Sequence, residues 1–279
     1  MYGFTTIDNT NLLQRFGAFV TKGGWNEALE WPQFKAIRTN DWHEEDGIEA
    51  DLTAPQVAAR QFVIGMAVND RQKYKDLLQF LTAKVSRDWS DPSLPREYRL
   101  RWEGFSDLKY TDGLYLFNLK VAEDLPIIAE RQPQPPQGMT QQAWRIDGNS
   151  FSDYGTNILQ GAEQSLWNVP NVKKNLAVSV SNDRGTIYDN EGRVSVAHRE
   201  VILPLLWTDS DKQRLWNNYE ALLYTLTQAG EHELISPTHS RALPCYYKSL
   251  QVEHFFDDPG RIWLQATLTL VLTDGGAPL

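Results

Sequence analysis

The sequence is poor in cysteine, because its 279 residues include only Cys245. An intrachain disulfide is therefore impossible, and the hydrophobic cores must hold without covalent cross-links. The same shortage excludes a cysteine-rich metal site. Such a chain suits a reducing compartment, and we expect it to be synthesised and folded in the cytoplasm.

Long apolar runs are missing as well. No stretch approaches the roughly 18 consecutive apolar residues of a membrane-spanning helix. The opening segment, MYGFTTIDNTNLLQRFG, does not place a basic region before an apolar one, as a secretory signal does. We therefore expect no membrane partner.

Basic residues are in the minority. The chain has 27 Lys and Arg residues against 36 Asp and Glu residues, which gives a formal net charge of -9 and a pI near 5.1. Proteins that hold nucleic acid through its phosphates need clustered Lys and Arg to displace condensed counterions. We therefore expect no stable or sequence-specific complex with nucleic acid, and basic partners or plain solubility instead.

Patterns that carry chemistry are also lacking. The histidines are scattered, with none in a metal-binding i, i+4 pair: His43, His198, His232, His239 and His254. Cys245 stands in a strand-like run, where a thiol is usually a buried apolar group. The acidic run at 43–46 lacks the alternating oxygen ligands of a calcium loop and reads as a solvated loop. Lys22-Gly23-Gly24 has no phosphate-loop spacing. We predict no catalytic, cofactor-binding or metal-binding residues, and hence no enzyme.

What the chain does contain is ample material for packed cores. Hydrophobic residues make up 41% of it and aromatic residues 11%. Its length exceeds the roughly 100 to 200 residues of an ordinary domain. Two domains are the expectation.

The two halves share a pattern of glycine, proline and basic residues, which indicates an internal repeat. The intervals from glycine to glycine (6), glycine to proline (9) and proline to lysine (3) are the same in both halves. Gly and Pro are restricted by backbone geometry, so their recurrence predicts two copies with the same turns. The matched positions are Gly17, Gly23, Pro32, Lys35 and Arg60 in the first half and Gly155, Gly161, Pro170, Lys173 and Arg199 in the second.

The flanking residues extend the repeat. An Ile-Asp pair opens each copy, at 7–8 and at 146–147. Arg60 and Arg199 each lead into an apolar run typical of a buried strand. We expect each arginine to form a structural ion pair, with a carboxylate such as Asp51 or Asp189.

One amphipathic helix follows each of these strands. Apolar residues recur with helical spacing from Asp70 to about Ser86 and from Thr208 to about Gln228. Asp70 and Thr208 are predicted to cap the two helices at their amino ends. Gly230 lies just beyond the second helix, as is typical of a helix end.

Each copy closes with two strand-like runs. They cover 98–102 and 114–119 in the first copy and 245–252 and 262–272 in the second, with turn residues at 110–113 and 257–260. Between the copies lies a Pro- and Gln-rich stretch that we expect to act as an unpacked spacer. The predicted units are therefore 1–125 and 143–279, separated by a linker at 126–142.

The predicted fold is α+β and mostly β, with two tandem copies of a β-sandwich or split-barrel unit, each flanked by one main helix. This order of an Ile-Asp and aromatic-Gly opening, an Arg-led strand, a helix and a hairpin resembles the fold shared by phage tail-tube, distal-tail and baseplate-hub proteins. The resemblance covers residues 4–121 and 143–274. It implies rings around a DNA channel, in which single-domain members form hexamers and two-domain members form trimers.

The function implied by this resemblance is structural. The chain is expected to be a distal-tail or baseplate-hub component of a phage, prophage or phage-like tail, located in the virion tail after assembly. Its expected partners are two further copies of itself and other tail or baseplate proteins, with no cofactor.

The alternative is a non-catalytic glycan- or protein-binding β-sandwich that uses exposed aromatic rings. The sequence has ten tryptophans, of which Trp102, Trp207 and Trp263 fall in apolar runs typical of a core. Tryptophans in loop-like stretches, where exposure would serve binding, are Trp25, Trp31, Trp42 and Trp167. Trp31 and Trp167 lie beside the matched prolines, which favours a role in the repeat.

Overall fold

The computed structural model describes residues 4–174, 177–179, 181–182, 184–188, 194–239, 241–258 and 261–275. The first half contains, in chain order, β1 (Thr6–Ile7), β2 (Thr10–Asn11), α1 (Leu12–Phe16), β3 (Ala18–Val20), α2 (Asn26–Leu29), β4 (Thr39–Asn40), β5 (Glu49–Ala50), β6 (Arg60–Val68), α3 (Arg71–Thr82), β7 (Ser86–Ser90), β8 (Tyr98–Thr111) and β9 (Leu114–Glu123). The second half contains β10 (Arg145–Ile146), β11 (Asn149–Ser150), a 3-10 helix (Phe151–Tyr154), β12 (Thr156–Ile158), α4 (Ala162–Trp167), β13 (Ala177–Val178), β14 (Ile187–Tyr188), β15 (Arg199–Asp209), α5 (Lys212–Leu226), β16 (His232–Ile235), β17 (Leu243–Asp258) and β18 (Arg261–Leu272).

The two halves have the same sheet topology. The first half forms a seven-stranded sheet in the order β2-β1-β7-β8-β9-β6-β3, and the second forms one in the order β11-β10-β16-β17-β18-β15-β12. Each strand therefore has a counterpart at the same place in the other sheet, and α3 and α5 follow equivalent strands. The predicted α+β, mostly β fold with two tandem units is confirmed. We refer to the halves as the first and second units.

Helix α3 begins where its cap predicts. The Asp70 carboxylate accepts a hydrogen bond from the Lys73 N–H at 2.9 Å. Tyr74, Leu77 and Leu81 form the buried stripe. Val85 falls within the predicted helix but lies beyond its observed end and is 76% exposed. The helix ends early because the chain must turn into β7, which pairs with β8.

Helix α5 begins later than predicted. Its cap is Asp211, whose carboxylate accepts from the N–H groups of Gln213 and Arg214 at 2.9 and 3.4 Å. Thr208, predicted as the cap, is instead a residue of β15 paired with Trp263. The prediction was wrong because the pairing of β15 with β18 continues to Asp209 and occupies the backbone of Thr208.

The closing hairpins are longer than predicted, with 14 residues in β8 and 16 in β17. In the first hairpin Asp112 and Gly113 have φ angles of 50° and 80°, as a type I′ turn requires. In the second, the predicted turn residues Pro259 and Gly260 lie outside the described residues. Both long strands carry a register shift at the same place, between Trp102 and Gly104 and between Tyr247 and Ser249.

The stretch between the units is hydrogen-bonded to α5, although none of the residues 126–142 is buried. The side chain of buried Asn218 in α5 accepts from the Gln134 N–H at 2.6 Å and donates to the Gln134 carbonyl at 2.8 Å. Asn217 donates to the Gln132 carbonyl at 2.8 Å. Side-chain amides thus satisfy backbone groups that have no strand partner, which composition alone does not indicate.

The buried apolar side chains of both units form one continuous cluster. It extends from Ile7 and Leu12 in the first unit to Leu270 and Leu272 in the second. Among the described residues, no helix is long and apolar enough to cross a membrane.

Candidate functional site: the contact between the two units

The matched glycines occupy equivalent places in the two units. Gly17 ends α1 and Gly155 ends the 3-10 helix, both in the left-handed conformation with φ angles of 58° and 65°. Gly23 and Gly161, with φ angles of 74° and 107°, precede the short helices α2 and α4. These positions favour glycine because a Cβ is strained at such angles.

The matched prolines and lysines mark a second equivalent segment. Pro32 and Pro170 are both buried. The Lys35 N–H donates to the Gln56 carbonyl at 2.7 Å, and the Lys173 N–H donates to the Ser195 carbonyl at 2.9 Å. The backbone bridge next to each lysine is also the same, joining Phe34 to Val57 and Val172 to Val196.

The matched arginines bind the carboxyl ends of the short helices. Arg60 donates to the carbonyls of Ala28, at 2.9 Å, and Glu30. Arg199 donates to the carbonyl of Asn168, the residue that ends α4. A cation at this end satisfies carbonyls that lack a helical partner and complements the helix dipole.

The carboxylate predicted for Arg60 was wrong. Arg60 pairs with Glu123 at 2.7 Å, whereas Asp51 accepts from Thr53. Arg60 and Glu123 are register partners in β6 and β9, a pairing that only the sheet topology sets. The other predicted partner, Asp189, lies outside the described residues.

An aromatic cluster joins the units. The ring of Trp31, which follows α2, lies 5.1 Å from Tyr219, 5.9 Å from Tyr247 and 6.4 Å from Trp207 between ring centroids. Phe34 lies 5.6 Å from Tyr247. Aromatic pairs in such tilted and edge-on arrangements contribute beyond their buried area, by about 0.5–1.5 kcal/mol each.

A hydrogen bond accompanies the aromatic contact. The Tyr219 hydroxyl donates to the carbonyl of Leu29 at the end of α2. Burial raises the pKa of Tyr219 well above its ordinary value, so the hydroxyl remains protonated and remains a donor. Beside it, Asn26 donates to the Glu253 carbonyl at 3.1 Å, and α2 lies against β17.

A chain of buried charges runs across the same boundary. Glu123 accepts from Arg60 at 2.7 Å and from Arg96 at 3.2 Å. Arg96 also pairs at 3.5 Å with Glu220 of α5, which in turn pairs with Arg131 at 3.2 Å. Glu123 and Glu220 are only 3% and 5% exposed, and each is compensated by two arginines, as a buried carboxylate requires a partner.

A loop of the first unit, 41–48, lies on the second unit. The N–H groups of Gly47 and Ile48 donate to the carbonyls of Val196 and Thr273, both at 2.7 Å. Gly47 has a φ angle of 72°, and a Cβ there would lie 1.6 Å from the Thr273 oxygen, so only glycine fits. The Asp46 carboxylate accepts from the Val196 N–H at 2.9 Å. Asp46 thus anchors the acidic run to the second unit, while His43, Glu44 and Glu45 are exposed, in line with the predicted solvated loop.

Lys173 of the second unit also binds this loop. Its buried ammonium group lies 2.5 Å from the Asp41 carboxylate and donates to the Trp42 carbonyl at 2.8 Å. The hydrogen bond from Lys173 lowers the pKa of Asp41. Its counterpart Lys35 is exposed, so the matched lysines share a backbone role but not a side-chain role.

The described residues contain no group of three or more His, Cys, Asp or Glu side chains arranged to hold a metal ion. Cys245 is fully buried, and burial raises the pKa of its thiol, so the nucleophilic thiolate is disfavoured. His232 lies 2.7 Å from the Asp147 carboxylate through Nδ1 and 3.2 Å from the Leu226 carbonyl through Nε2. These contacts satisfy the ring within the fold.

The exposure of the tryptophan side chains differs in part from the expectation. Trp25 and Trp31, in loop-like stretches of the sequence, are 7% and 4% exposed, whereas Trp42 and Trp167 are 53% and 59% exposed. Trp207 is fully buried, as expected, and its indole donates to the Tyr154 carbonyl at 3.1 Å. Trp102 and Trp263 are half-buried.

Several contact residues are absent from the sequence prediction, notably Glu220 and Glu123. Glu220 had a usable signal: it interrupts the apolar stripe of α5 between Tyr219 and Leu222, where a charged side chain needs a partner. Glu123 had none, because its partners come from β6 and from the loop before β8.

The comparisons with known proteins give little. No protein-family model matches the chain, and no curated protein matches it. Among solved structures it is similar to the Dit protein (gp 19.1) of phage SPP1, described as a paradigm of the hub adsorption apparatus in phages that infect Gram-positive bacteria. The alignment covers 98% of each chain at 9% identity, with a TM-score of 0.31. The similarity is weak.

Proposed function

We propose that this protein is a structural component of a phage or phage-like tail, at the level of the distal tail or baseplate hub. In this role it assembles into a closed ring around a DNA channel. Three chains, with two units each, supply the six similar units of the ring.

The observation that carries the proposal is the kind of contact between the two units. They have the same topology, yet they meet through different surfaces: α2 and the segment after it in the first unit, and α5, β15 and β17 in the second. Such a heterologous contact between equivalent units forms a ring when the rotation closes. The order of elements, which resembles the phage tail-tube and hub fold, supports the tail assignment.

The proposed role requires no catalytic chemistry. We expect broad screens for hydrolase and transferase activity on the purified chain to find no turnover. Reproducible turnover that is lost on changing His198 or Cys245 would contradict this expectation.

The experiment that tests the function is imaging of the protein with its genetic neighbours. The chain is co-expressed with the proteins encoded beside it, and the purified particles are examined by electron microscopy and mass spectrometry. The proposal predicts a ring of three chains at the end of a tail-like structure. Purified tails that lack the chain, or that contain it outside any ring, would overturn the proposal.

A further inference from the structure

The surface that joins the first unit to the second has a counterpart in the second unit. Residues of this segment in the two units are related by a shift of 138 positions. Glu30 corresponds to Asn168, and the carbonyls of both accept from the matched arginines. Lys35 corresponds to Lys173, and the two make equivalent backbone hydrogen bonds. In the first unit this segment contacts the second unit through Leu29, Trp31 and Phe34. Their counterparts in the second unit are, in order, Trp167, Val169 and Val172.

These counterparts are apolar and exposed, although the Trp167 ring lies 5.4 Å from the ring of His239. Trp167, Val169 and Val172 are 59%, 85% and 62% exposed, whereas Leu29 and Trp31 are 1% and 4% exposed. Exposed apolar side chains that cluster on one surface mark an interaction site. We call these three residues the apolar lip of the second unit.

The receiving surface also has a counterpart, on the hairpin of the first unit. Trp102 pairs with Val121 as Tyr247 pairs with Leu270, and these pairs lie at equivalent places in the two sheets. Residues of β8 and β17 are equivalent when their register partners lie at the same distance along β9 and β18 from these pairs. Trp102, Phe105 and Tyr110 correspond to Tyr247, Leu250 and Phe255.

The tip of this hairpin is exposed in the first unit, although the Phe105 ring lies 6.1 Å from Tyr74 of α3. Phe105 and Tyr110 are 44% and 65% exposed, and the neighbouring Leu108 is 47% exposed. In the second unit the equivalent residues are buried: Tyr247, which Trp31 and Phe34 contact, is 0% exposed, and Leu250 is 1% exposed. We call Phe105, Leu108 and Tyr110 the apolar hairpin face of the first unit.

We infer that a second copy of this chain covers both surfaces: the apolar lip of one copy docks on the apolar hairpin face of the next. The contact repeats between chains the arrangement that α2 and its following segment make with β17 within a chain. This inference deepens the proposed ring assembly and rests on it.

The occupant is a second copy because the chain itself supplies the template. The covered surfaces and the uncovered ones are related by the same repeat, so each copy keeps one lip and one hairpin face free. A head-to-tail contact uses one of each and leaves one of each for the next copy. A contact of this kind adds chains until the ring closes.

Two variants test the inference, and each introduces a charge that the proposed contact would bury. Val169→Asp disables the lip, and Tyr110→Asp disables the hairpin face, since a carboxylate resists desolvation. The matched control is Leu125→Asp, because Leu125 is 85% exposed, as is Val169, but lies outside both surfaces. Mass is measured by sedimentation across protein concentration, with circular dichroism to confirm folding.

The expected result is loss of assembly in each variant and complementation in their mixture. Val169→Asp and Tyr110→Asp each remain at the 32.0 kDa of one chain, whereas Leu125→Asp assembles as the unchanged protein does. An equimolar mixture of the two variants forms a species of two chains and no larger one, because only one lip and one hairpin face remain competent.

A cross-linking variant covers the case of weak association. Within one chain, Asn26 donates to the Glu253 carbonyl. Gln164 is the counterpart of Asn26, and Leu108, in the second register shift of β8, is the counterpart of Glu253 in β17. Gln164→Cys with Leu108→Cys is therefore expected to link neighbouring copies under oxidation. Asn26→Cys with Glu253→Cys is the control and is expected to link within one chain. The native Cys245 is buried and does not compete.

The inference is overturned by an unchanged protein that neither assembles nor cross-links, by assembly that survives Val169→Asp, or by variants that fail to complement. These results are distinct from failure of the proposed function. Tail rings whose units join through other surfaces would refute the interface and leave the function standing. Assembly through these surfaces by a protein absent from tails would do the reverse.

Discussion

Asp8 and Asp147 show how a single residue is reused in the two units. Each has a φ angle of 48° in the turn that follows the Ile-Asp pair. The Asp8 carboxylate accepts from Arg87 at 2.6 Å and from the Asp88 N–H at 3.1 Å. Asp147 makes the same two kinds of bond, to His232 at 2.7 Å and to the Glu233 N–H at 2.8 Å. The turn and its carboxylate are retained while the partner side chain differs.

The Asp8 carboxylate predicts a dependence of stability on pH. Hydrogen bonds led by that of Lys84, together with Asp88 and Arg87, lower its pKa from 3.8 to about 2. Because the pKa is lower in the folded state than in the unfolded one, the ionised group stabilises the fold above pH 3.8. This stabilisation is lost as the pH falls from 3.8 towards about 2.

The measurement compares the free energy of unfolding of the unchanged protein with that of Asp8→Asn, which cannot ionise. The unchanged protein is expected to be the more stable at pH 6, and the difference is expected to shrink as the pH falls through the window from 3.8 to about 2. A difference that stays constant over that window would show that the Asp8 charge does not stabilise the fold.

At the scale of the element, α3 and α5 are equivalent helices with unequal burial. The stripe of α3 has buried Tyr74, Leu77 and Leu81, with Leu78 only half-buried. In α5 almost the whole circumference is covered, because the sheet of its own unit, the linker and the first unit all contact it. A helix that is buried on several sides loses more when its side chains are shortened.

Leu223→Ala is therefore expected to lower the free energy of unfolding by about 2–5 kcal/mol, since Leu223 is 2% exposed. Leu78→Ala, at the half-buried position in α3, is expected to cost less. Denaturant unfolding monitored by circular dichroism measures both. Equal losses, or no loss for Leu223→Ala, would contradict the burial described for these helices.

At the scale of the whole molecule, the two units share one core through Trp31. Its ring contacts three aromatic residues of the second unit, and the buried Glu123 and Glu220 connect the same boundary. Units with a small polar contact move and unfold separately, whereas a shared apolar core couples them. The chain is expected to unfold as one cooperative unit.

Trp31→Ala tests this coupling. The change is expected to cost about 3–5 kcal/mol, because it removes a large buried ring. It is also expected to separate the calorimetric transition into two. The matched control is Trp42→Ala, where the ring is 53% exposed and the expected change is within about 0.5 kcal/mol. A single transition of unchanged midpoint in Trp31→Ala would show that the units are not coupled through this residue.

The sequence by itself determined the repeat, the helices and the hairpins. Gly17 and Gly155 recur because a left-handed helix end demands a residue without a Cβ, a requirement of the backbone alone. Asp70 and the stripe of α3 could be located because capping and helical spacing act within a few residues. The Asp112-Gly113 turn was predictable for the same reason.

Only the tertiary structure decided which surfaces those elements cover. Trp31 and Val169 lie at matched positions, yet one is 4% and the other 85% exposed, because the first unit has a neighbour on that side within the chain. The pairing of β6 with β9 brings Arg60 next to Glu123, and the position of α5 brings Asn218 within hydrogen-bond distance of the linker. Contacts between residues far apart in the chain depend on the arrangement of complete elements, which local backbone preferences do not encode.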